Sequence, residues 1–114
     1  MSQTSMLLNQ LGVGGRYRGF QWMIRAIDLA REDPDRLLRL TKTIYPVVAQ
    51  EFGTSWYCVE RNLRTIVENC WEHGNRKLLQ ELAGYPLVER PSNGEFLDIL
   101  TNYLLRKENR TETL

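Results

Sequence analysis

Two arginines in the middle of this chain could do chemistry with a charged partner. Arg61 and Arg64 lie three positions apart in "VERNLRTIVENCW" (59 to 71), so a helix would place them one turn apart on one side. A guanidinium can donate two parallel hydrogen bonds to a guanine edge or to a phosphate. Exposed arginines are also common on ordinary solvated helix surfaces. The pair therefore leaves both nucleic-acid binding and a simple surface role open.

The helix that would carry this pair is predicted to begin at Trp56 and to end near residue 71 or 73. Its polar side holds both arginines, and the apolar arc opposite them is predicted to be buried. That arc comprises Trp56, Val59, Leu63, Ile66, Val67 and Cys70. We expect Thr54 or Ser55 to cap the helix at its start and Gly74 to end it.

The segment before this helix predicts how it is supported. A short helix starting near Pro46 would bury Tyr45, Val48, Ala49 and Phe52. Ala49 is small enough for a close crossing, Gly53 can make the tight turn, and Val59 can pack back against the first helix. This spacing is typical of a helix-turn-helix, in which the second helix presents its outer face to the DNA major groove.

The rest of the chain predicts an all-α domain of five or six helices, because strand signals are nearly absent. Residues 1–15 end in "LGVGG" and are expected to be a flexible lead-in. The domain would span residues 16–107, with a tail at 108–114. Its other helices are expected over 17–31, from Pro34 towards Thr43, over 75–83, and after a capping box formed by Ser92 and Glu95.

Composition limits the class of protein without deciding its partner. The chain has 114 residues, of which 42% are hydrophobic, and a net charge of +1. It is long enough for one packed domain, and the total charge does not favour nucleic acid over other partners. We expect a cytoplasmic protein, because no apolar run could span a membrane, the start is not a secretory signal, and Cys58 and Cys70 are too far apart to pair.

Enzymatic chemistry is not expected. His73 is the only histidine, and with two distant cysteines it makes neither a metal site nor a nucleophile–base pair. The glycines at 12, 14 and 15 lack the strand and the Lys-Ser/Thr of a phosphate loop. We therefore expect no cofactor, no metal and no small-molecule ligand.

Several segments in order along the chain resemble one known family. They are "LGV" at 11–13, "GF" at 19–20, "AI" at 26–27, "LTKTIYPVVAQEF" at 40–52, "VERNLRTIVENCW" at 59–71, "GN" at 74–75, "GY" at 84–85 and "PSNGEF" at 91–96. Together they are similar to the DNA-binding output domain of the stage-zero sporulation protein A family. The resemblance implies an all-helical domain with a helix-turn-helix that binds double-stranded DNA and regulates transcription.

The resemblance also implies which residues touch DNA. Glu60, Arg61 and Arg64 match positions of the family's recognition helix that lie at base and backbone contacts. Cys58 stands where the family usually has an arginine and Thr65 where it often has histidine, so the family's recognition sequence is not carried over. The full candidate DNA-binding set is Ser55, Tyr57, Cys58, Glu60, Arg61, Arg64, Thr65 and Lys42.

Two further expectations follow from the resemblance. Family members bind tandem sites with neighbouring domains in contact, so self-association on DNA is expected. Only about fifteen residues precede the first predicted helix, too few for the family's receiver domain, which indicates a stand-alone relative or a fragment. The alternative function is a protein-interaction module that pairs with a full-length regulator or another protein and modifies it. The small net charge and Cys58 favour that alternative.

Overall fold

The computed structural model describes residues 2–112, with side chains as far as Asn109, and over that range its regular secondary structure is all helical, with no strand. It has one 3₁₀ helix at Pro34–Arg39 and seven α-helices, one or two more than predicted. These are α1 (Gln3–Gln10), α2 (Phe20–Glu32), α3 (Leu40–Thr43), α4 (Tyr45–Glu51), α5 (Trp56–His73), α6 (Arg76–Ala83) and α7 (Asn93–Glu112). The predicted all-α class is confirmed.

Helices α2, α5 and α7 enclose the core. Their innermost side chains are fully buried and come from all three helices, namely Met23, Ile27, Leu63, Ile66, Phe96 and Leu100. Apolar residues recur at helical spacing in each of these segments, so each helix buries one side against the other two. This core gives α5 a rigid support along most of its length.

The N-terminal segment does not form the flexible lead-in expected over residues 1–15. Helix α1 occupies most of it, and Leu7, Leu8, Leu11 and Val13 are buried in the core. A hydrogen bond of 2.9 Å from Thr4 Oγ1 to Asp28 Oδ1 joins α1 to α2. The glycines at the end of this segment suggested flexibility. In the structure they let the backbone turn after a short buried helix, and Gly12 has φ +92°. Met1 lies outside the described residues.

The backbone after α1 also touches the end of α5. The amide of Asn75 donates a hydrogen bond of 3.0 Å to the Leu11 carbonyl. A Cβ atom on Gly74 would lie 2.4 Å from that same carbonyl oxygen, so only glycine allows the approach. Gly74 ends α5 as predicted, and the close approach explains why no larger residue could do so here.

The C-terminal boundary also differs from the prediction. Helix α7 continues through residues 108–112, which were assigned to the tail. Glu108 forms an ion pair with Arg31 on α2, so this part of α7 belongs to the domain. At the other end of α7, Ser92 Oγ accepts a hydrogen bond of 3.1 Å from the Glu95 amide, which is one of the two bonds of the predicted capping box. Residues 113 and 114 lie outside the described residues.

Candidate nucleic-acid interface

A tight turn joins α4 to α5. Gly53 has φ +66°, a left-handed conformation that side chains with a Cβ resist. The Thr54 amide donates a hydrogen bond of 2.9 Å to the Ala49 carbonyl and closes the turn. Ser55 Oγ then accepts from the Cys58 amide at 3.3 Å, so of the two predicted candidates it is Ser55 that caps α5.

The crossing of α4 and α5 is buried. Val48 and Val59 are fully buried, and Ala49 retains only 5% of its exposure. The small side chain of Ala49 lets the backbones of α4 and α5 approach each other, and Val59 on α5 packs against α4. The turn and this crossing together make the predicted helix-turn-helix, with the opposite side of α5 left in solvent.

Four of the predicted site residues share that outer face of α5. Tyr57, Arg61, Arg64 and Thr65 are all exposed, and their spacing of three or four residues puts them side by side along the helix. Thr65 Oγ1 donates a hydrogen bond of 3.1 Å to the Arg61 carbonyl, which ties its hydroxyl to the helix backbone. The face thus presents two guanidinium groups and one phenol ring to solvent.

Glu60 lies at the edge of this face and pairs with Arg64. Their side chains approach to 3.0 Å between Arg64 Nη1 and Glu60 Oε1, across one helical turn. The Glu60 side chain is 28% exposed, less than the 48% of Arg64. The ion pair favours one orientation of the Arg64 guanidinium and partly neutralises its charge. Exposed pairs of this kind add little stability, so the consequence is chiefly one of positioning.

Cys58 is half-buried between the outer face and the core. A hydrogen bond with the Thr54 side chain lowers the pKa of the Cys58 thiol, and the charges of Arg18 and Arg61 act in the same direction. The Asn62 side-chain amide lies 3.5 Å from the sulfur. The thiol is partly exposed and has two positively charged side chains near it.

Lys42 is the one predicted site residue that lies on a different helix from the rest. It is exposed on α3, the short helix that precedes α4. Of the remaining candidates, Ser55 has its side-chain oxygen engaged in the cap, although the residue is still partly exposed. The candidate site is thus one strip of α5 together with one cation, Lys42, on α3.

Two aromatic residues predicted to be buried are exposed beside this strip. Trp56 retains 48% of its exposure and Phe52 44%, whereas Trp22 and Trp71 are buried. Both exposed residues flank the turn, where the neighbouring helix ends and cannot cover them. Periodicity gives the angular position of a side chain on its helix but not whether a neighbour reaches that far along it.

A cleft next to the strip adds residues that the sequence prediction did not include. It has a volume of about 510 Å³ and lies between α5, the segment before α7 and the first turn of α7. Glu60 and Arg64 line one side, and Arg90 and Asn93 line the other. Arg90 Nη1 is 3.7 Å from Glu68 Oε1 on α5. Only the tertiary fold brings these segments together, since about thirty residues separate them in the chain.

Asn93 fixes the position of α5 within the site. Its side-chain amide donates to the Tyr45 hydroxyl at 3.1 Å and to the Glu60 carbonyl at 3.0 Å. One side chain of α7 is therefore bonded to both helices of the helix-turn-helix. Burial raises the pKa of the Tyr45 phenol, which keeps the hydroxyl neutral at ordinary pH.

The tight turn, the buried crossing and the exposed cationic face define the protein as a helix-turn-helix domain of the DNA-binding class. A comparison with known families identifies it further, since residues 4–104 match the family described as sporulation initiation factor Spo0A C terminal. The chain belongs to this family. The family is the DNA-binding domain of a sporulation regulator and binds double-stranded DNA, and it is not a family of enzymes.

No helix within residues 2–112 combines the length and the apolar character that a membrane crossing requires. In the same part of the chain, no group of three or more His, Cys, Asp or Glu side chains could hold a metal ion.

Proposed function

We propose that this protein is a transcription regulator that reads a specific DNA sequence by inserting α5 into the major groove. The observation that carries the proposal is the exposed strip of Tyr57, Arg61 and Arg64 on the outer side of a helix whose inner side is locked in the core. A recognition helix needs this combination, because its side chains must reach base edges from a support that does not bend.

Each residue of the strip has a proposed role that follows from its chemistry. Arg61 donates to a guanine edge or to a phosphate, and Arg64 does the same from the orientation that Glu60 imposes. Glu60 can also accept a hydrogen bond from the amino group of a cytosine. Thr65, Ser55 and Lys42 supply weaker contacts to bases or to the DNA backbone.

The sequence that is read should differ from the one typical of the family. Cys58 offers only a short, weak donor where the family usually has an arginine, so one guanine contact is absent from the proposed interface. Selection of binding sites from random duplex DNA would give the operator directly. Enrichment of one motif is the expected result, and no enrichment would contradict sequence-specific reading.

The proposal predicts that Arg61→Ala and Arg64→Ala each weaken binding to the selected site. The loss should be about 1–3 kcal/mol for a bidentate base contact, with little change in stability because both side chains are exposed. Arg106→Ala is a control, because Arg106 is an exposed arginine on α7 that donates to the Leu82 carbonyl. Equal DNA affinity for the parent and both α5 variants would show that α5 is not the recognition helix.

The alternative is a protein-interaction module that binds a full-length regulator or another protein. The ion pairs Glu60–Arg64 and Glu68–Arg90 favour it, because they neutralise two of the arginines around the cleft. The dependence of DNA affinity on salt separates the two functions. Phosphate contacts make affinity fall steeply as salt rises, whereas a protein-binding module would show only weak DNA binding at low salt.

We also propose that neighbouring copies associate on tandem sites. Measuring stoichiometry and cooperativity on DNA with one site and with two adjacent sites tests this. Cooperative filling of the paired sites is expected, and independent filling would contradict it. With DNA as the partner, the proposed place of action is the nucleoid in the bacterial cytoplasm.

A further inference from the structure

The first turn of α5 carries an exposed aromatic pair that the proposed arginine contacts do not use. Trp56 retains 48% and Tyr57 60% of their exposure. Their ring centroids are 5.9 Å apart and their planes are nearly perpendicular, at 86°. Each ring therefore limits the freedom of the other, and together they form an apolar patch. Tyrosine and tryptophan are enriched at interfaces, so the pair is a candidate for contact with a partner.

The position of the pair indicates which partner it meets. Tyr57 precedes Arg61 by four residues and Arg64 by seven, so all three lie along one strip of the helix. The N-terminal residues of a recognition helix are the ones that contact base edges. The exposed Arg61 lies one helical turn after Tyr57, so the patch is bordered by positive charge. A polyanion such as DNA fits an apolar patch beside positive charge better than an apolar protein surface does.

We infer that Tyr57, braced by Trp56, contacts the methyl groups of thymine bases in the major groove. Thymine is the one ordinary base that presents a methyl group there, and apolar side chains recognise it by contact rather than by hydrogen bonding. The contact would add a preference for thymine beside the base or phosphate that Arg61 engages. This inference rests on the proposed function, because it requires α5 to enter the major groove.

Replacing thymine with deoxyuridine tests the inference, since the two bases differ only by that methyl group. In the selected site, each thymine is replaced singly and binding is measured by fluorescence anisotropy. At one or two positions the parent protein should bind about fourfold more weakly, the effect expected from losing one buried methyl group. This measurement on the parent protein does not depend on whether any variant folds.

Variants then assign the effect to the aromatic pair. Tyr57→Ser and Trp56→Ala should bind thymine and deoxyuridine sites equally, whereas Tyr57→Phe should still distinguish them because it keeps the ring. Arg61→Ala is the matched control on the same strip. It should bind more weakly overall and still distinguish the two bases. Circular dichroism of each variant checks that the exposed substitutions leave the fold intact.

The outcomes separate this inference from the proposed function. Binding that depends on Arg61 but responds to no deoxyuridine substitution would overturn the thymine contact and leave the recognition helix in place. A deoxyuridine effect that persists in both Tyr57→Ser and Trp56→Ala would also overturn it, since another side chain would then be the reader. If the folded parent shows no sequence-dependent binding to any duplex, the proposed function itself fails.

Discussion

Replacing Gly53 should reveal how much the helix-turn-helix depends on its turn. A Cβ atom at this position would meet nothing within 4 Å, so steric collision contributes no penalty. The φ of +66° is the whole source of strain, and a left-handed backbone costs a residue with a Cβ about 1–2 kcal/mol. The same substitution stiffens the unfolded chain, which offsets about 0.4–1 kcal/mol. Gly53→Ala should therefore lose roughly 0.5–1 kcal/mol of stability.

The size of the loss should follow the backbone preference of the new residue. Gly53→Val should lose more than Gly53→Ala, because a β-branched side chain resists the left-handed region most strongly, and Gly53→Asn should lose least. Thermal and urea unfolding followed by far-ultraviolet circular dichroism would measure the series. Each kcal/mol should lower Tm by about 4 °C in a domain of this size.

Gly14→Val is the matched control for this series. Gly14 also has open space around its Cβ position, and its φ is not positive. The same valine should therefore change stability much less there than at position 53. If Gly53→Val and Gly14→Val unfold at the same temperature as the parent, the turn does not require a left-handed residue and the reasoning fails.

Three other changes test the site. Cys58→Arg should tighten DNA binding to sites like the family's own by about 1–3 kcal/mol if the new guanidinium reaches a guanine. A DNA titration would measure this gain in affinity. A lower Tm with no gain in affinity on any site would contradict the prediction. Asn93→Ala should lower Tm, because the Tyr45 hydroxyl and the partly buried Glu60 carbonyl each lose a donor, and an unchanged Tm would contradict this. Thiol alkylation should distinguish the two cysteines. Cys58 should react faster, since its pKa is lowered, whereas burial raises the pKa of Cys70 to about 11 and should protect it in the folded protein; equal rates would refute this.

Local signals explain why the centre of the site was predictable. The cap at Ser55 and the glycine turn at 53 are read from single residues that act on their immediate neighbours. The apolar period of α5 then determines which side faces the core, and hence that Arg61 and Arg64 face outward. These features depend on a few consecutive residues, so an isolated sequence contains the information needed to infer them.

Exposure near the turn and the place of α1 were not predictable in the same way. Trp56 belongs to the apolar arc of α5 and yet is 48% exposed, because α4 ends before it could cover the first turn. Residues 3–13 look like a loop by composition but are held by contacts with α2 and with the end of α5. The exposure of Trp56 and the packing of α1 both depend on where other segments lie in the folded domain, and helical periodicity carries no information about that.

The sequence by itself determined the helical class, the helix-turn-helix and the outward face with its two arginines, because each follows from local backbone preferences and helical periodicity. The tertiary structure alone decided what surrounds that face. It brought Arg90 and Asn93 to the cleft beside Arg64, and it left Trp56 uncovered at the start of α5. The physical reason is that contacts between distant segments depend on how the helices pack around the shared core, and no short stretch of the chain encodes that arrangement.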